Sequence, residues 1–314
     1  MTIALIVGVN GQDGQYLKET LLKDYSFNIY GLGRQDEEVL ACGNDRFEYL
    51  KHDLQDSSGF MKILNKLKPD IVFYCAAIHG SLGYDYEDNW ESLHQINTIS
   101  MHAVLKYLCR SPMSQAVYFS SVKVFDENCN KCTEETSRSD SCLYSFSKNT
   151  TERLINYYRQ SNAVRVNIFW LNNHESVLRG KNYFSSLIVD NLHLSLENNQ
   201  HRFEVETLDF FSDWGHAKEY MEIIVKVALS RDFNDYTIST GESIYARDLV
   251  EKLYIWKGLD YKNHIEERSP VNKKKKNRCI SSEQLRRKHG ISPKLMGLDL
   301  FKNIFKEKYF EKRS

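Results

Sequence analysis

Charge of one sign is what this chain lacks most. Forty-two Lys and Arg balance forty-two Asp and Glu over 314 residues, so the total offers nothing to attract nucleic acid. Long apolar runs are missing too: no stretch reaches the roughly 20 residues that cross a bilayer. The opening Met1-Thr2-Ile3-Ala4-Leu5-Ile6-Val7-Gly8 has neither a basic segment nor a small-residue cleavage site. It reads as a buried strand, not a signal peptide. Proline is scarce, with four residues, which alongside abundant Lys, Asn, Tyr and Phe suggests an AT-rich coding sequence. The cysteines number seven, an odd and scattered set that fits reduced thiols in a cytoplasm. Cys129 and Cys132 form a C-x-x-C with no second pair at zinc spacing, so no metal is expected and both read as loop thiols.

What is present begins with a nucleotide-binding pattern. Ile3 to Val7 is a short continuous apolar run, as in a strand buried on both faces. Gly8-Val9-Asn10-Gly11-Gln12-Asp13-Gly14 follows, then a helical stretch from Gln15 to Lys23. Gly8 suits the tight turn, Gly11 the approach of a pyrophosphate, and Gly14 close helix–strand packing. A second strand near Phe27 to Leu32 ends in Gly33-Arg34-Gln35, with no carboxylate for the ribose hydroxyls of NAD. Arg34 instead suits the extra phosphate of NADP(H), the expected cofactor. Asp36, Glu37 and Glu38 follow directly and keep NAD open.

A third strand, Phe47 to Leu50, leads to Lys51-His52-Asp53-Leu54. A fourth, from Asp70, ends in the small residues Ala76 and Ala77, with His79 just beyond. A fifth, Ala116 to Ser120, runs into Ser121. Tyr144-Ser145-Phe146-Ser147-Lys148 opens a helix reaching about Arg159. Residues four apart share a helix face, so Lys148 lies beside Tyr144 and favours its phenolate. Tyr144 can then move a proton to or from a hydroxyl while hydride passes at the same carbon, with Ser121 holding the oxygen.

These motifs make the chain resemble the extended short-chain dehydrogenase/reductases, and within them the GDP-mannose 4,6-dehydratases. The specific likeness lies in Gly8-x-x-Gly11-Gln12-Asp13-Gly14, Leu171-Asn172-Asn173-His174-Glu175-Ser176, Asp213-Trp214-Gly215-His216-Ala217-Lys218-Glu219-Tyr220 and Ser239-Thr240-Gly241-Glu242. The resemblance implies an α/β fold: a Rossmann-type doubly wound parallel sheet with a small C-terminal α/β substrate domain, and the substrate in the cleft between. Residues 1–170, with returning segments near 205–240, would form the NADP-binding domain, and 171–314 the sugar-nucleotide domain. It also implies that Asp53 and Leu54 meet the adenine, and that His79 lies near the nicotinamide and sugar. Tyr144 and Lys148 are expected to bind the cofactor as well, Lys148 by holding its ribose. Asn173 and Arg179 are candidates for the sugar nucleotide, and Arg278 for its diphosphate. The run Lys273 to Lys276 beside Arg278 reads as a solvated loop, and Ser281-Ser282-Glu283 as a helix cap.

The departures matter as much. Where the family carries Ser-Thr-Ser-Glu-Leu-Tyr-Gly, this chain has Ser120-Ser121-Val122-Lys123-Val124-Phe125-Asp126. Ser121 can do the work of the threonine. Lys123 stands where the family has the glutamate that helps remove water across C5 and C6 of a 4-keto sugar. Ser212 replaces an arginine, a basic pair after Arg179-Gly180 is missing, and the loop from Gln35 to Asn44 is short, which favours a homodimer over a tetramer. The helices Glu91 to Cys109 and Cys142 to Arg159 suit that dimer interface or burial within one subunit.

The preferred expectation is an NADP(H)-dependent reductase acting at C4 of a 4-keto-6-deoxy nucleotide sugar, in deoxysugar synthesis for a surface polysaccharide. The alternatives are a 4,6-dehydratase with Lys123 as a rearranged acid, a C4-epimerase, and a non-catalytic NADP-binding regulator. The partner expected is a nucleotide-linked sugar, not nucleic acid or membrane.

Overall fold

The computed structural model describes residues 2–37, 43–80, 84–269 and 277–310. Two compact units emerge from it. The first comprises residues 1–127, 134–171 and 221–237; the second comprises 128–133, 172–220 and 238–314.

The first unit carries a seven-stranded sheet. Its strands are β1 (Thr2–Val7), β2 (Phe27–Gly33), β3 (Phe47–Lys51), β4 (Ile71–Tyr74), β5 (Gln115–Ser121), β6 (Arg165–Leu171) and β7 (Tyr236–Ile238), where the chain passes to the second unit. The spatial order is β7-β6-β5-β4-β1-β2-β3. The pairs β1–β2, β1–β4, β2–β3, β4–β5 and β5–β6 are all parallel. The order reverses at β1, where β2 lies on one side and β4 on the other. In such sheets the carboxyl ends at the reversal form a ligand crevice.

Sequence pattern explains these strands. Ala4 to Val7 and Ile71 to Tyr74 are unbroken apolar runs and fully buried, as strands covered on both faces must be. Each such side chain contributes about 1.5–3 kcal/mol by leaving water. The covering helices are amphipathic. In α1 (Gln12–Asp24), Tyr16, Leu17 and Leu21 face inward. The helix starts at Gln12, earlier than expected, because Gly11 in extended geometry is its N-cap. Asp13 in the first turn and Lys23 in the last suit its dipole. Helix α2 (Ser57–Leu67) is capped by Asp56, which accepts from the backbone N–H of Gly59 at 2.9 Å.

The helix expected from Glu91 to Cys109 is broken into three. Helix α3 (Trp90–His94) passes through a π-turn, Gln95–Ile99, into α4 (Ser100–Arg110). The ladder shifts there to i→i+5 bonding, with the Ser100 N–H donating to Gln95 O. Ser100 Oγ donates to the carbonyl of Gln95 and to that of Leu54. Helix α5 (Leu143–Asn162) is the longest, opened by a capping box between Cys142 and Ser145 and closed by left-handed Ala163.

The second unit has its own core. Ile188, Val189 and Leu192 of α6 (Phe184–Glu197) belong to it, with Leu249, Val250 and Leu253 of the helix Ala246–Trp256 and Leu300, Phe301 and Phe305 of the helix Gly297–Tyr309. Trp214 lies within it, stacked on Phe184 at 5.6 Å. The Asp213 loop is structural: Asp213 accepts from Thr240 and from the backbone N–H of Gly241. Burial pushes its carboxyl up to about 6 despite those bonds. Of the two serines before the helix Glu283–His289, Ser281 Oγ accepts from the backbone N–H of Glu283 at 3.4 Å, while the side chain of Ser282 makes no cap. Its hydroxyl instead accepts from the backbone N–H of Ser239 at 2.7 Å. The lysine run from Lys273 to Lys276 lies outside the described residues, as does Glu38.

Candidate active site

The carboxyl ends of β1, β2 and β4 enclose a cavity of about 310 Å³. The glycine loop forms its floor. Gly8 has a φ of +95°, open to glycine at little cost. Its N–H donates to Leu32 O at 2.9 Å, and Gly11 N donates to Gly8 O at 3.1 Å. A methyl group on Gly8 would lie 2.8 Å from Ala76 N, so the small residue is needed for β1 to pass β4.

Gly8, Asn10, Gly11, Arg34, Asp53, Leu54, Ala76 and Ala77, all named from the sequence, line this cavity. Gln12, Asp13 and Gly14 do not. They form the first turn of α1, where Gln12 Nε2 donates to Asp13 and Gly14 packs against the loop. The sequence reading missed Gln35, His52, Cys75, Ile78 and Ile96. Gln35 is bonded to Asn10, which couples the glycine loop to the end of β2. Asp36 is turned into an ion pair with Lys51 and does not line the cavity. Asp53 is the one carboxylate among the lining residues. The narrow backbone floor, the cation at the end of β2 and the adjoining carboxylate fit a dinucleotide.

Next to this cavity stand the proton-transfer candidates. Tyr144, Lys148 and Glu152 lie one turn apart along α5, and all three are buried. Lys148 Nζ donates to Phe119 O at 2.7 Å and sits 4.8 Å from the Tyr118 ring centre and 5.8 Å from that of Tyr144. Burial pulls its ammonium down to about 8; Glu152 is foremost among the groups opposing that fall. A lysine so placed stabilises a phenolate next to it. Ser121 ends β5 and caps a short turn, Val122–Val124, by accepting from Lys123 N at 3.3 Å.

Lys123 is exposed, yet its ammonium is engaged. Its Nζ lies 3.3 Å from His79 Nε2 and 5.9 Å from the Tyr144 ring centre. His79 meets Tyr144 edge-on, with ring centres 4.7 Å apart. The loop bearing His79 is anchored by Asn97 of the π-turn, a residue the sequence reading missed. Asn97 Oδ1 accepts from Ile78 N at 2.8 Å, and its Nδ2 donates to Ile78 O and Ser147 Oγ. An asparagine inside a helical run carries no sequence signal for such a role.

The other three candidates belong to the second unit. Asn173 Nδ2 donates to Ser212 Oγ at 2.6 Å. Arg179 pairs with Glu175 at 3.1 Å and stacks on Tyr183 at 4.0 Å. Arg278 Nη2 lies 3.4 Å from Cys132 Sγ. Among the described residues no cluster of His, Cys, Asp and Glu could hold a metal ion, and no helix is long and apolar enough to cross a membrane.

A family model described as GDP-mannose 4,6 dehydratase matches residues 5–297. The GDP-mannose 4,6 dehydratase of Drosophila melanogaster is 28% identical over 284 residues, covering 82% of this chain and 70% of that protein. That of Homo sapiens is 28% identical over 273 residues, covering 81% and 72%. Among solved structures, dTDP-glucose 4,6-dehydratase from Bacillus anthracis in complex with NAD superposes with a TM-score of 0.83 at 17% identity, covering 98% of this chain and 97% of that one. UDP-N-acetylglucosamine 4-epimerase from Methanobrevibacter ruminantium gives 0.82 at 17% identity, covering 98% of each. At such identities the structural likeness carries the Rossmann-type fold alone.

Proposed function

The chain belongs to the GDP-mannose 4,6-dehydratase family, and from that premise we propose that it is a nucleotide-sugar 4,6-dehydratase with a substituted acid–base group. The observation that carries this reading is the contact of Lys123 with His79 against the Tyr144 ring. Lys123 stands where the resembled family has glutamate, and alone it would be a poor replacement. Paired with an imidazole it forms a donor–acceptor couple at the edge of the hydride site.

Bound NADP(H), or NAD(H), supplies the hydride acceptor and later the donor. Arg34 at the cavity, with Asp36 turned to Lys51, favours NADP(H). Tyr144 takes the O4 proton as the C4–H bond breaks, Ser121 orients that oxygen, and Lys148 stabilises the phenolate. The C4 ketone acidifies C5. His79 accepts the C5 proton, Lys123 gives a proton to the departing C6 hydroxyl, and water leaves. His79 returns its proton to C5 as hydride arrives at C6. One proton must then return from Tyr144 to Lys123, through solvent or through His79, which lies 3.3 Å from the Lys123 ammonium and meets the Tyr144 ring edge-on. Asn173, Arg179 and Arg278 bind the sugar nucleotide in this reading.

A second reading is the C4 reductase expected from sequence. It is favoured by the exposed, cationic character of Lys123 and needs only Ser121, Tyr144, Lys148 and NADPH. Incubation with GDP-mannose decides between them: a product about eighteen mass units lighter, one water, supports elimination. Oxidation of NADPH by 4-keto-6-deoxy nucleotide sugars, without that loss, supports reduction. We further propose a cytoplasmic homodimer, with the exposed Phe146 and Tyr157 of α5 in its interface.

A further inference from the structure

We propose that Glu152 is a positioning residue of the hydride site, holding the end of β5 that presents Ser121 and supplying the counter-charge to the buried ammonium of Lys148. This rests on the reading of Tyr144 and Lys148 as the proton-transfer pair.

Glu152 has the contacts such a role needs. Only 5% of it is exposed, and it lies one turn beyond Lys148 on the same face of α5. Its Oε1 accepts from Ser120 Oγ and, at 2.8 Å, from Trp170 Nε1. Its Oε2 accepts from Arg138 Nε at 3.1 Å. All these partners are donors, which suits an ionised carboxylate, an acceptor only. The Arg138 guanidinium is fixed in turn between aromatic rings, 4.5 Å from Trp170 and 4.7 Å from Phe125. Behind the network lies a cavity of about 330 Å³, bounded also by Glu134, Asn149 and Asp235.

Burying this carboxylate is costly and brings little net stability, even when it is paired. Its placement makes sense through Lys148. The groups acting on Lys148 are Glu152 of its own helix, Cys75 after β4, Asp13 of α1, and the rings of Tyr118 and Tyr144. Cys75 is held protonated by burial, which leaves Glu152 and Asp13 as the carboxylates. Burial pushes the Glu152 carboxyl above the usual carboxylate range, and the donors Ser120, Arg138 and Trp170 work against that rise and favour the ionised form. Removing its charge lets the Lys148 ammonium lose its proton at lower pH. Removing only the Ser120 bond does not.

The test is the pH dependence of NADPH binding, followed by cofactor fluorescence from about pH 6 to about pH 10. The unaltered protein should lose affinity as pH passes about 8, where Lys148 discharges. In Glu152→Gln the loss should begin at least about one pH unit lower, equivalent to a tenfold change in proton affinity. Ser120→Ala should keep the original position, and Glu152→Asp should restore most of it. An unmoved profile in Glu152→Gln, or an equal shift in Ser120→Ala, overturns the proposal. Should Glu152→Gln not fold by circular dichroism, Arg138→Gln should shift the profile the same way by favouring the protonated carboxyl. An unaltered protein with no loss near pH 8 overturns the proposal without any variant. Lys148→Met separates the layers. If it keeps the unaltered profile, the reading of Lys148 itself fails. If it abolishes the pH dependence while Glu152→Gln leaves it unmoved, only the role of Glu152 fails.

Discussion

Lys148 reaches from the second turn of α5 to the carbonyl of Phe119, 2.7 Å away, and with the bond from Ser120 to Glu152 this ties the helix to the end of β5. The ammonium is bought at a cost in stability. In the unfolded chain it titrates near 10.5, and in the fold at about 8. Between those values the unfolded chain binds more protons, so stability rises with pH across the window and is lowest below it. The gap corresponds to about 3 kcal/mol. Denaturant unfolding of the unaltered protein and Lys148→Met should show their difference moving toward the unaltered protein from about pH 7 to about pH 10. A difference that stays flat would contradict the assignment.

In the proposed mechanism Tyr144 carries the proton. Tyr144→Phe keeps the buried ring and its edge contact with His79, so melting temperature should change little. Turnover should fall by at least about a hundredfold, the usual scale for a general acid. Near-normal turnover in the folded variant would place the proton on another group.

Cofactor choice is read from Arg34. Arg34→Ala should weaken NADPH more than NADH, because only the former carries the extra phosphate. Equal affinity of the unaltered protein for both would remove this basis for preferring NADP(H).

The loop glycines should separate folding from binding. A methyl group at Gly14 would lie 2.4 Å from Gly8 O and 2.5 Å from Val9 Cα, both backbone atoms. Gly14→Ala should therefore cost about 1–3 kcal/mol in unfolding free energy, as overpacking does. At Gly11 the nearest atom to a methyl group is 3.4 Å away. Gly11→Ala should fold normally yet bind NADPH more weakly, because Gly11 lines the cavity proposed to take the pyrophosphate. Loss of folding in Gly11→Ala, or a neutral Gly14→Ala, would reverse these roles.

The sheet was legible because buried parallel strands write themselves as continuous apolar runs, as in Ile3 to Val7. The glycine loop and the Tyr144–Lys148 spacing were legible because backbone approach and helix periodicity leave local marks. Three things were not. The π-turn at Gln95–Ile99 is one; its Asn97 and the adjoining Ser100 bond to residues distant in sequence. Glu152 left no mark in the sequence because its partners Ser120, Arg138 and Trp170 come from other segments. The pairing of Lys123 with His79 joins the ends of β4 and β5, which only the sheet order brings together. That pairing moved the preferred reading from reduction to elimination.

The most direct test of that reading is mass spectrometry of GDP-mannose incubated with the purified protein and NADP⁺. The account predicts a product lighter by about eighteen mass units, its loss in both Lys123→Ala and His79→Ala, and retention of NADPH binding in both variants. No mass change with the unaltered protein, together with NADPH consumption on a 4-keto-6-deoxy nucleotide sugar that survives in Lys123→Ala, would contradict it and establish the reductase instead.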